Sequence, residues 1–326
     1  MGGRHSIYGG KMLAPVHSRQ ALAESVCPYT FRRAEVADIS AINGMLVDEY
    51  GPSYPYPLRE LAVDGIYIVA THEPTAEIVG FSRAAPLGGH EGVYELGGLI
   101  VKRSHRGHDV AKRMTIERMN EARERGAKVA MSEPVCYRID CASQLNLLGF
   151  GFVLLGIQPA KYPDIQGEIL QGQPESVLMA ACWLQGKSGF GTRKIYLPRE
   201  YRGTPHNYLP REIHSKRFEE KVQGVMPSPV HHAGRMGVGC RGAEYIDVPA
   251  NWKESESLIA KYMQQGYRFS CLLPGFGDLD GGSHFDYVRL YRLPDTVHGF
   301  DFRRVHVASQ LQPLKYFIAG EHACRR

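Results

Sequence analysis

The chain has 326 residues, enough for two domains of ordinary size or for one large domain. It contains 39 Lys and Arg against 34 Asp and Glu, a formal net charge of +5, with 22% charged and 43% hydrophobic residues. These values exclude an intrinsically disordered chain and indicate a globular protein. The small excess charge, with no basic block interleaved with aromatic residues, argues against a nucleic-acid partner.

The cysteines and the N-terminal segment bear on the cellular compartment. The seven cysteines form no C-x-x-C pair, so we expect neither a disulfide framework nor a structural zinc site. Residues 1–28 are polar, lack the apolar run of a signal peptide and are predicted to be a leader. No apolar run is long enough to span a bilayer. We therefore expect a cytoplasmic protein with no membrane partner, and we leave open whether it forms a homodimer.

The first half of the chain alternates strand and helix patterns. A short alternating strand at 30–33 precedes Asp38, which stands at an N-cap position before a helix. The proline-rich residues 51–57 must form a loop. The remaining pattern predicts strands at 66–70, 78–85 and 93–101, a helix at 109–125, a strand at 127–131, a helix at 141–148, and strands at 152–157 and 176–184. This order predicts a mixed α/β fold.

The second half is predicted to be a separate region. Glycine and proline punctuate residues 187–210, which we interpret as a linker between a domain at 29–186 and another at 211–326. In the second region the pattern predicts helices at 211–222 and 252–265, a loop at 224–242, and strands at 245–248, 267–273 and 287–293.

A weak internal repeat relates the two regions. Residues 148–152 (LGFGF) and 265–269 (QGYRF) each follow a predicted helix, and each leads through a strand and a proline-marked loop to another strand. This similarity suggests that the second region repeats the closing half of the first. A chance likeness is the alternative.

The segment most informative about chemistry is 94–114, YELGGLIVKRSHRGHDVAKRM. Its pattern predicts a strand, a short basic turn and a helix that starts after Asp109. Backbone N–H groups at a helix start attract an anion, and Arg103 and Arg106 add positive charge. The turn is therefore a candidate pyrophosphate site, with an ordinary strand-to-helix connection as the alternative.

At this segment the sequence resembles the GNAT superfamily of acyl-CoA-dependent N-acyltransferases. The family signature Arg/Gln-x-x-Gly-x-Gly/Ala is matched by residues 106–111 (RGHDVA) except at Asp109. The stretches TFRRA, GFSR, LGGLIV and LLGF occur in the family's order over most of 29–184. The resemblance implies a GNAT fold for the first domain. The stretches GYRF, LPGF and YVRLYRL resemble the trailing half-domain of longer members, which implies a smaller GNAT-like C-terminal domain without its own coenzyme motif.

The resemblance also implies a site. Acetyl-CoA or another acyl-CoA would be the co-substrate, with no metal, and its pyrophosphate would be held by the backbone of Arg106, Gly107, His108, Asp109, Val110 and Ala111. The splayed end of the fourth strand would bind the pantetheine and polarise the thioester carbonyl through Leu99, Ile100 and Val101. Glu95 stands where the protein-lysine-acetylating branch carries its general base. An ion pair or an outward-facing side chain is the alternative for Glu95.

Two departures from the family pattern matter. Asp109 puts a carboxylate close to the expected pyrophosphate, which it would repel unless it points away or pairs with Arg106. The position where many members carry a tyrosine general acid is Leu145. Either no protein acid is needed, or another group serves, for which the nearby candidates are Tyr137, Cys141 and Ser143.

Other side chains are weaker candidates. The resemblance places the acceptor site near the loop that contains Tyr50, Tyr54 and Tyr56, which could line an amine pocket or cover the core edge. The pair His231–His232 lacks a third metal ligand. Buried unreactive thiols are the commoner state for cysteines such as Cys136 and Cys141.

We therefore expect transfer of an acyl group, acetyl by default, from coenzyme A to a primary amine of a small molecule or peptide by direct attack. Two alternatives stay open. One is a catalytically silent binding or regulatory protein with the same fold, and the other is an acyl-thioester decarboxylase or hydrolase.

Overall fold

The computed structural model describes residues 28–52, 57–162, 174–184, 193–201, 222, 225–232, 243–279, 283–293 and 300–323. Eleven strands are described: β1 (Tyr29–Arg33), β2 (Ile66–His72), β3 (Glu77–Pro86), β4 (Val93–Val101), β5 (Val129–Ser132), β6 (Val153–Tyr162), β7 (Glu175–Trp183), β8 (Val230–His232), β9 (Glu244–Pro249), β10 (Arg268–Leu279) and β11 (Ser283–Arg292). The described α-helices are α1 (Ile39–Tyr50), α2 (Val110–Glu124), α3 (Ala142–Gly149), α4 (Lys253–Gln264) and α5 (Gln312–Ala323).

All eleven strands belong to one mixed sheet, in the order β1-β2-β3-β4-β5-β7-β6-β10-β11-β9-β8. Among these described strands, β4 and β5 pair in parallel and the other neighbours pair antiparallel. The mixed α/β fold predicted from the sequence is confirmed. Strands from both predicted domains lie in this sheet, joined where β6 meets β10.

Helices cover both faces of the first part of the sheet. Successive residues of a strand point to opposite faces, and in β2 Ile68 and Ala70 join the large core cluster while Val69 joins a smaller one. The smaller cluster holds Ile42 and Met45 of α1, and Met114 of α2 lies in the large one. Between these helices the sheet is buried on both sides, which holds its strand ends in fixed positions.

Most predicted elements are present with shifts of a few residues at their ends. Asp38 precedes α1 as expected, but its carboxylate accepts from the Glu35 N–H at 2.7 Å and from Arg32, so it closes the turn before the helix. The sequence did not predict β8, which lies inside the expected loop 224–242, or α5. Residues 1–27 of the predicted leader and residues 211–221 of a predicted helix lie outside the described residues. No described helix is both long and apolar enough to cross a membrane.

The internal repeat has a structural counterpart. The units α3–β6–β7 and α4–β10–β11 share their order, and a glycine with positive φ, Gly151 in the first and Gly266 in the second, follows each helix. The β6–β7 ladder shifts register between Leu154 and Gly156 and between Gln158 and Tyr162. The β10–β11 ladder shifts at the residues with the same spacing, Phe269 to Cys271 and Leu273 to Gly277.

The two units meet through corresponding residues. Gly156 of β6 pairs with Cys271 of β10, and these two positions are counterparts under the spacing that relates Gly151 to Gly266. A residue that contacts its own counterpart is the mark of an isologous, two-fold arrangement. The strand order agrees, since β5-β7-β6 on one side of the junction mirrors β10-β11-β9 on the other.

Candidate active site

Two parallel strands separate at the centre of the first half of the sheet. The pairing of β4 with β5 ends at Glu95 opposite Met131. At the point of separation the Ser132 hydroxyl donates to the Leu96 carbonyl at 2.7 Å. Beyond it, the end of β4 and the segment that follows β5 line two neighbouring cavities. The splayed end of the fourth strand that the sequence analysis expected is therefore present.

The cavities differ in the elements that enclose them. The helix-side cavity, of about 330 Å³, is lined by the end of β4, the turn before α2 and the start of α3. The loop-side cavity, of about 540 Å³, is lined by residues 57–62, β3, β6 and β7. Both contain Tyr50, residues 97–100, Glu133 and Val135. A group bound in one cavity can therefore meet a group bound in the other along the end of β4.

The basic turn lies at the edge of the helix-side cavity. Arg106 and Ala111 line this cavity together with Val101. Arg106 is held in place, since its Nε donates to the Val101 carbonyl at 2.9 Å and its Nη2 donates to Glu49 at 2.8 Å. The first N–H groups of α2 have no acceptor within the helix, so the turn presents donors beside the cavity. The side chain of Val110 is buried in the core, which leaves its backbone as the group that could contact a ligand.

Asp109 stands at the N-cap of α2 in the left-handed region, with φ of 58°. Side chains other than Gly, Asn and Asp rarely adopt this conformation. The family pattern has glycine at this position, and the backbone conformation supplies the physical reason. The Asp109 carboxylate contacts Lys112 in the first turn of α2 at 3.2 Å, whereas Arg106 donates to Glu49.

A buried arginine supports the end of β4. Arg118 of α2 is 1% exposed and lines the helix-side cavity. Its Nη1 donates to the Gly97 carbonyl at 3.0 Å and to the Arg83 carbonyl at 3.3 Å. Burial lowers the pKa of Arg118 to about 9. Gly98 beside it has φ of 60°, so this arginine stabilises the irregular part of the strand. Sequence reasoning missed it, although a basic residue within the apolar stripe of α2 is an available signal.

Glu95, the general base expected from the resemblance, lies in the loop-side cavity. Its Oε2 is 3.9 Å from Arg83 Nη2, and its side chain is 21% exposed. It does not line the helix-side cavity among the described residues. Glu95 therefore lines the loop-side cavity, and a different carboxylate lies in the region that the two cavities share.

That carboxylate is Glu133, directly after β5, which lines both cavities. Its oxygens accept from Tyr162 at 2.5 Å and from Gln158 at 2.9 Å, and Lys161 Nζ lies at 3.5 Å. Burial by itself raises the pKa of Glu133, but the charge of Lys161 and these hydrogen bonds outweigh it, so the pKa lies below its ordinary value. Glu133 is thus an ionised carboxylate at neutral pH.

Glu175, the first residue of β7, is a second buried carboxyl group in the loop-side cavity. It is 2% exposed, and its Oε1 has no hydrogen-bond partner among the described residues. Burial and the nearby charge of Glu133 raise the pKa of Glu175 to about 8. The predicted strand begins at residue 176, and neither Glu133 nor Glu175 was predicted as a site residue. The available signal for Glu175 is a glutamate directly before a long apolar run.

The candidates for a proton donor differ in their exposure and in the cavity that they line. Leu145, where the family often has tyrosine, is 56% exposed. Tyr137 and Ser143 line the helix-side cavity, whereas Cys141 lines neither cavity among the described residues. Burial raises the pKa of Tyr137 to about 12, so its phenol keeps its proton. Tyr50 lines both cavities and packs against the smaller core cluster, which agrees with both interpretations of it, while Tyr54 and Tyr56 lie outside the described residues.

A cluster of His90, His232 and Asp247 lies apart from these cavities. The ligand atoms of the three residues lie within 4.8 Å of one another, a spacing that could hold a metal ion. Arg289, however, donates to both Asp247 oxygens, at 2.6 and 2.7 Å. A cation would have to displace this guanidinium, so the residues do not form a ready metal site. The absence of a metal in the reaction stays a prediction.

Asp247 is the counterpart of Glu133 in the second unit. Position 135 forms a bridge to Val177, and Pro249 pairs with Tyr287 at the corresponding point of the second unit. Glu133 lies two residues before Val135, and Asp247 lies two residues before Pro249. Glu133 lines the loop-side cavity, whereas Asp247 accepts from the buried Arg289.

Comparison with solved structures finds similarity over about half of the chain. The chain aligns with the ribosomal-protein-S18-alanine N-acetyltransferase of Escherichia coli (14% identity, 48% of this chain and 94% of the other, TM-score 0.38). It also aligns with the ribosomal-protein-alanine N-acetyltransferase of Brucella melitensis (20% identity, 47% of this chain and 99% of the other, TM-score 0.38). A third alignment is with the aminoglycoside 6'-N-acetyltransferase of Enterococcus faecium (15% identity, 48% of this chain and 97% of the other, TM-score 0.38).

No curated protein matches the chain. Residues 38–135 match the model of the acetyltransferase (GNAT) family. This match spans α1 to the segment after β5, which includes the separated strands, the basic turn and the start of α2. Residues 38–135 of the chain are therefore a GNAT acetyltransferase domain.

Proposed function

We propose that this protein transfers an acyl group, by default acetyl, from coenzyme A to a primary amine of a small molecule or peptide by direct attack. The observation that carries the proposal is the meeting of two cavities along the separated end of β4. One cavity borders the basic turn that suits a pyrophosphate. The other opens between the loop after α1 and the end of the sheet, where an acceptor amine can approach the same strand.

The donor fits the helix-side cavity through the backbone of the turn and of β4. The proposed contacts to the pyrophosphate come from the turn, with the N–H groups at the start of α2 as anion donors. The end of β4 supplies unpaired backbone groups, because its pairing with β5 ends at Glu95. A backbone N–H aimed at the thioester oxygen stabilises the charge that develops during acyl transfer. The residues proposed for these contacts are Leu99, Ile100, Val101, Arg106, Gly107, His108, Asp109, Val110 and Ala111.

The amine must lose a proton before it can attack. Glu133 is ionised and lies where both cavities meet, which supports it as the carboxylate beside the reacting carbonyl. Glu95 is the second candidate, on the loop side and 3.9 Å from Arg83. After the tetrahedral intermediate collapses, the thiolate takes a proton, for which Tyr137 and Ser143 line the correct cavity.

The experiment is an acetyl-CoA-dependent transfer assay over a panel of primary amines, read by thiol release and by mass of the product. We compare Glu133→Gln, Glu95→Gln and Glu60→Gln, the last an exposed residue at the rim of the loop-side cavity. A lost general base lowers kcat by about 10²- to 10⁴-fold, and we expect this loss for Glu133→Gln with little change in acetyl-CoA binding.

The outcomes separate the alternatives. A loss confined to Glu95→Gln would move the base to β4, as the sequence resemblance implies. Thiol release without an amine product would indicate a thioester hydrolase or decarboxylase. Binding of acetyl-CoA with no turnover over the whole panel would contradict the enzyme and support a binding protein.

A further inference from the structure

Glu175 has no role in the transfer just proposed, and its surroundings are unusual. It lies at the start of β7 opposite Tyr162 of β6, and the same Tyr162 donates to Glu133 at 2.5 Å. One oxygen of Glu175 is buried against the loop-side cavity without a partner. A buried polar atom without a hydrogen-bond partner costs free energy. Its position beside a cavity indicates that a bound ligand could supply the missing hydrogen bond.

The two carboxyl groups cannot both be ionised at low cost. Like charges in a shared buried site raise the pKa of one member of the pair. Glu133 keeps its charge because Lys161 lies at 3.5 Å and Gln158 donates to it. Among the described residues no cation pairs with Glu175, and burial and the charge of Glu133 raise its pKa, so in the pair Glu175 is the member that holds the proton.

The other titratable groups around Glu175 do not compete for this role. On the segment after β5, burial is the largest cause that raises the pKa of Cys136, and the charge of Glu175 adds to it. The same two causes raise the pKa of Tyr137 to about 12. Both therefore stay neutral at neutral pH. On β6, the Tyr162 hydroxyl donates to Glu133, and Lys161 forms its ion pair with Glu133.

We propose that Glu175 recognises the acceptor: its carboxyl group holds a proton beside Glu133 before binding and releases it to solvent when the ammonium group of the amine enters. This inference rests on the proposed function for the identity of the ligand, an alkylammonium group. An incoming positive charge favours the ionised form of a carboxyl group. The ammonium hydrogen atoms then satisfy the Glu175 oxygen that lacks a partner.

The protons balance through one turnover. Binding of R–NH₃⁺ releases the Glu175 proton to water. The ammonium group then gives a proton to Glu133, the proposed base, and the neutral amine attacks the thioester carbonyl. As the C–S bond breaks, the second nitrogen proton passes to the thiolate, which leaves as the thiol of coenzyme A. The product amide is neutral, the proton on Glu133 passes to Glu175 once the ammonium charge is gone, and the net release is one proton per acetyl group.

The test uses difference infrared spectroscopy of the full chain without any acyl-CoA. The carbonyl band of a protonated carboxyl group should disappear with a midpoint at a pH of about 8. This band should be absent from Glu175→Gln and retained in Glu60→Gln. In Glu133→Gln the midpoint should move to lower pH, because the charge of Glu133 is one of the two causes of the raised value.

At pH 7 we then add n-butylammonium chloride, with tetramethylammonium chloride as the matched cation that has no N–H to donate. The first should remove the band from the wild-type protein, and the second should not. A missing band at pH 7, a band unaffected by n-butylammonium, or an equal response to both salts would each overturn the proposal.

The same variant separates this proposal from the acyl transfer itself. If Glu175 recognises the acceptor, Glu175→Gln should raise KM for the amine by about tenfold or more while acetyl-CoA binding stays unchanged. If the wild-type protein transfers no acyl group but shows both infrared responses, the proposed function fails and the ammonium site stands. If transfer occurs and Glu175→Gln has an unchanged KM, the ammonium site fails and the function stands.

Discussion

At the scale of single residues, the charge of Asp109 is the feature that most affects the proposed coenzyme site. Its left-handed φ of 58° suits Gly, Asn or Asp, so Asp109→Asn keeps the conformation and removes only the charge. One exposed charge interaction is worth about 0.2–1 kcal/mol. We therefore expect Asp109→Asn to bind acetyl-CoA up to about fivefold more tightly, measured by calorimetric titration.

The salt dependence provides the control for this prediction. Repulsion between exposed charges weakens as ions screen it, so the difference between the wild-type protein and Asp109→Asn should shrink at high salt. Asp109→Gly should show the same gain in affinity. If the affinity of Asp109→Asn equals that of the wild-type protein at low salt, the carboxylate plays no part in coenzyme binding.

The sequence predicted part of the candidate site for physical reasons that differ between its residues. The basic turn is contiguous in sequence, so its pattern marked Arg106 as a residue beside a candidate anion site, and the family resemblance added Ala111. Glu133 and Glu175 are far apart in sequence and come together when β5 and the segment after it pair with β7. Their relation depends on that register, and no local pattern reveals it. The pKa of Glu133 depends on burial and on Lys161, and that of Glu175 depends on burial and on the charge of Glu133; these are also properties of the folded chain.

At the scale of elements, the junction of β6 and β10 leaves no room for a side chain at Gly156. A Cβ atom at Gly156 would lie 2.2 Å from the Cβ of Cys271 and 2.3 Å from the carbonyl oxygen of Ser270. A backbone atom cannot move aside without shifting the strand. We therefore expect Gly156→Ala to destabilise the protein by about 3 kcal/mol or more, seen as a lower midpoint in urea unfolding.

Gly44 provides a matched control for the same chemical change. It lies on the exposed side of α1, and nothing lies within 4 Å of a Cβ atom there. Alanine favours a helix interior by up to about 1 kcal/mol over glycine, so Gly44→Ala should raise the midpoint. If Gly156→Ala unfolds at the same urea concentration as the wild-type protein, the junction is looser than described.

The elements themselves were predicted best where their residues alternate or repeat at helical spacing. β4 has the predicted bounds, Val93–Val101. β8 was missed because three residues, Val230–His232, give too short a pattern amid glycine and proline. Its position depends on pairing with β9, a contact between segments that the sequence does not align. β10 extends to Leu279, beyond the Pro274 that was expected to end it, because the ladder to β11 shifts register at that point.

At the scale of the whole molecule, the ion pair of Arg289 and Asp247 lies in the second half and contacts the first half, since Arg289 donates to Gln158 at 2.8 Å. Asp247 also contacts His90, from the turn between β3 and β4, at 3.0 Å. Removing one member of a buried pair leaves an uncompensated charge and costs about 3–5 kcal/mol. We expect this loss in urea unfolding for Arg289→Met, whereas Arg292→Met should change stability by at most about 1 kcal/mol, because Arg292 pairs with Glu244 at a half-exposed site.

Acid stability gives an independent check on the same ion pair. Burial by itself raises the pKa of Asp247, but the charge and hydrogen bonds of Arg289 hold it well below 3.8, with His232 and His90 as further donors. A carboxyl group with a lowered pKa stabilises the fold above its ordinary value, and this contribution is lost as pH falls below that value. Arg289→Met should therefore lose stability at a less acid pH than the wild-type protein. Equal acid midpoints would contradict the role of Arg289.

The junction of counterpart residues, Gly156 with Cys271, has a consequence for how the two halves can differ. Two separate chains that met in this way would have to remain identical, and their contact would depend on protein concentration. A covalent connection fixes the effective concentration of one half at the other and allows each to change alone. The chain shows the result: the first half keeps Glu133 beside an open cavity, and the second keeps Asp247 sealed by Arg289. The two halves thus hold counterpart carboxylates in different surroundings, one beside a cavity and the other in a buried ion pair.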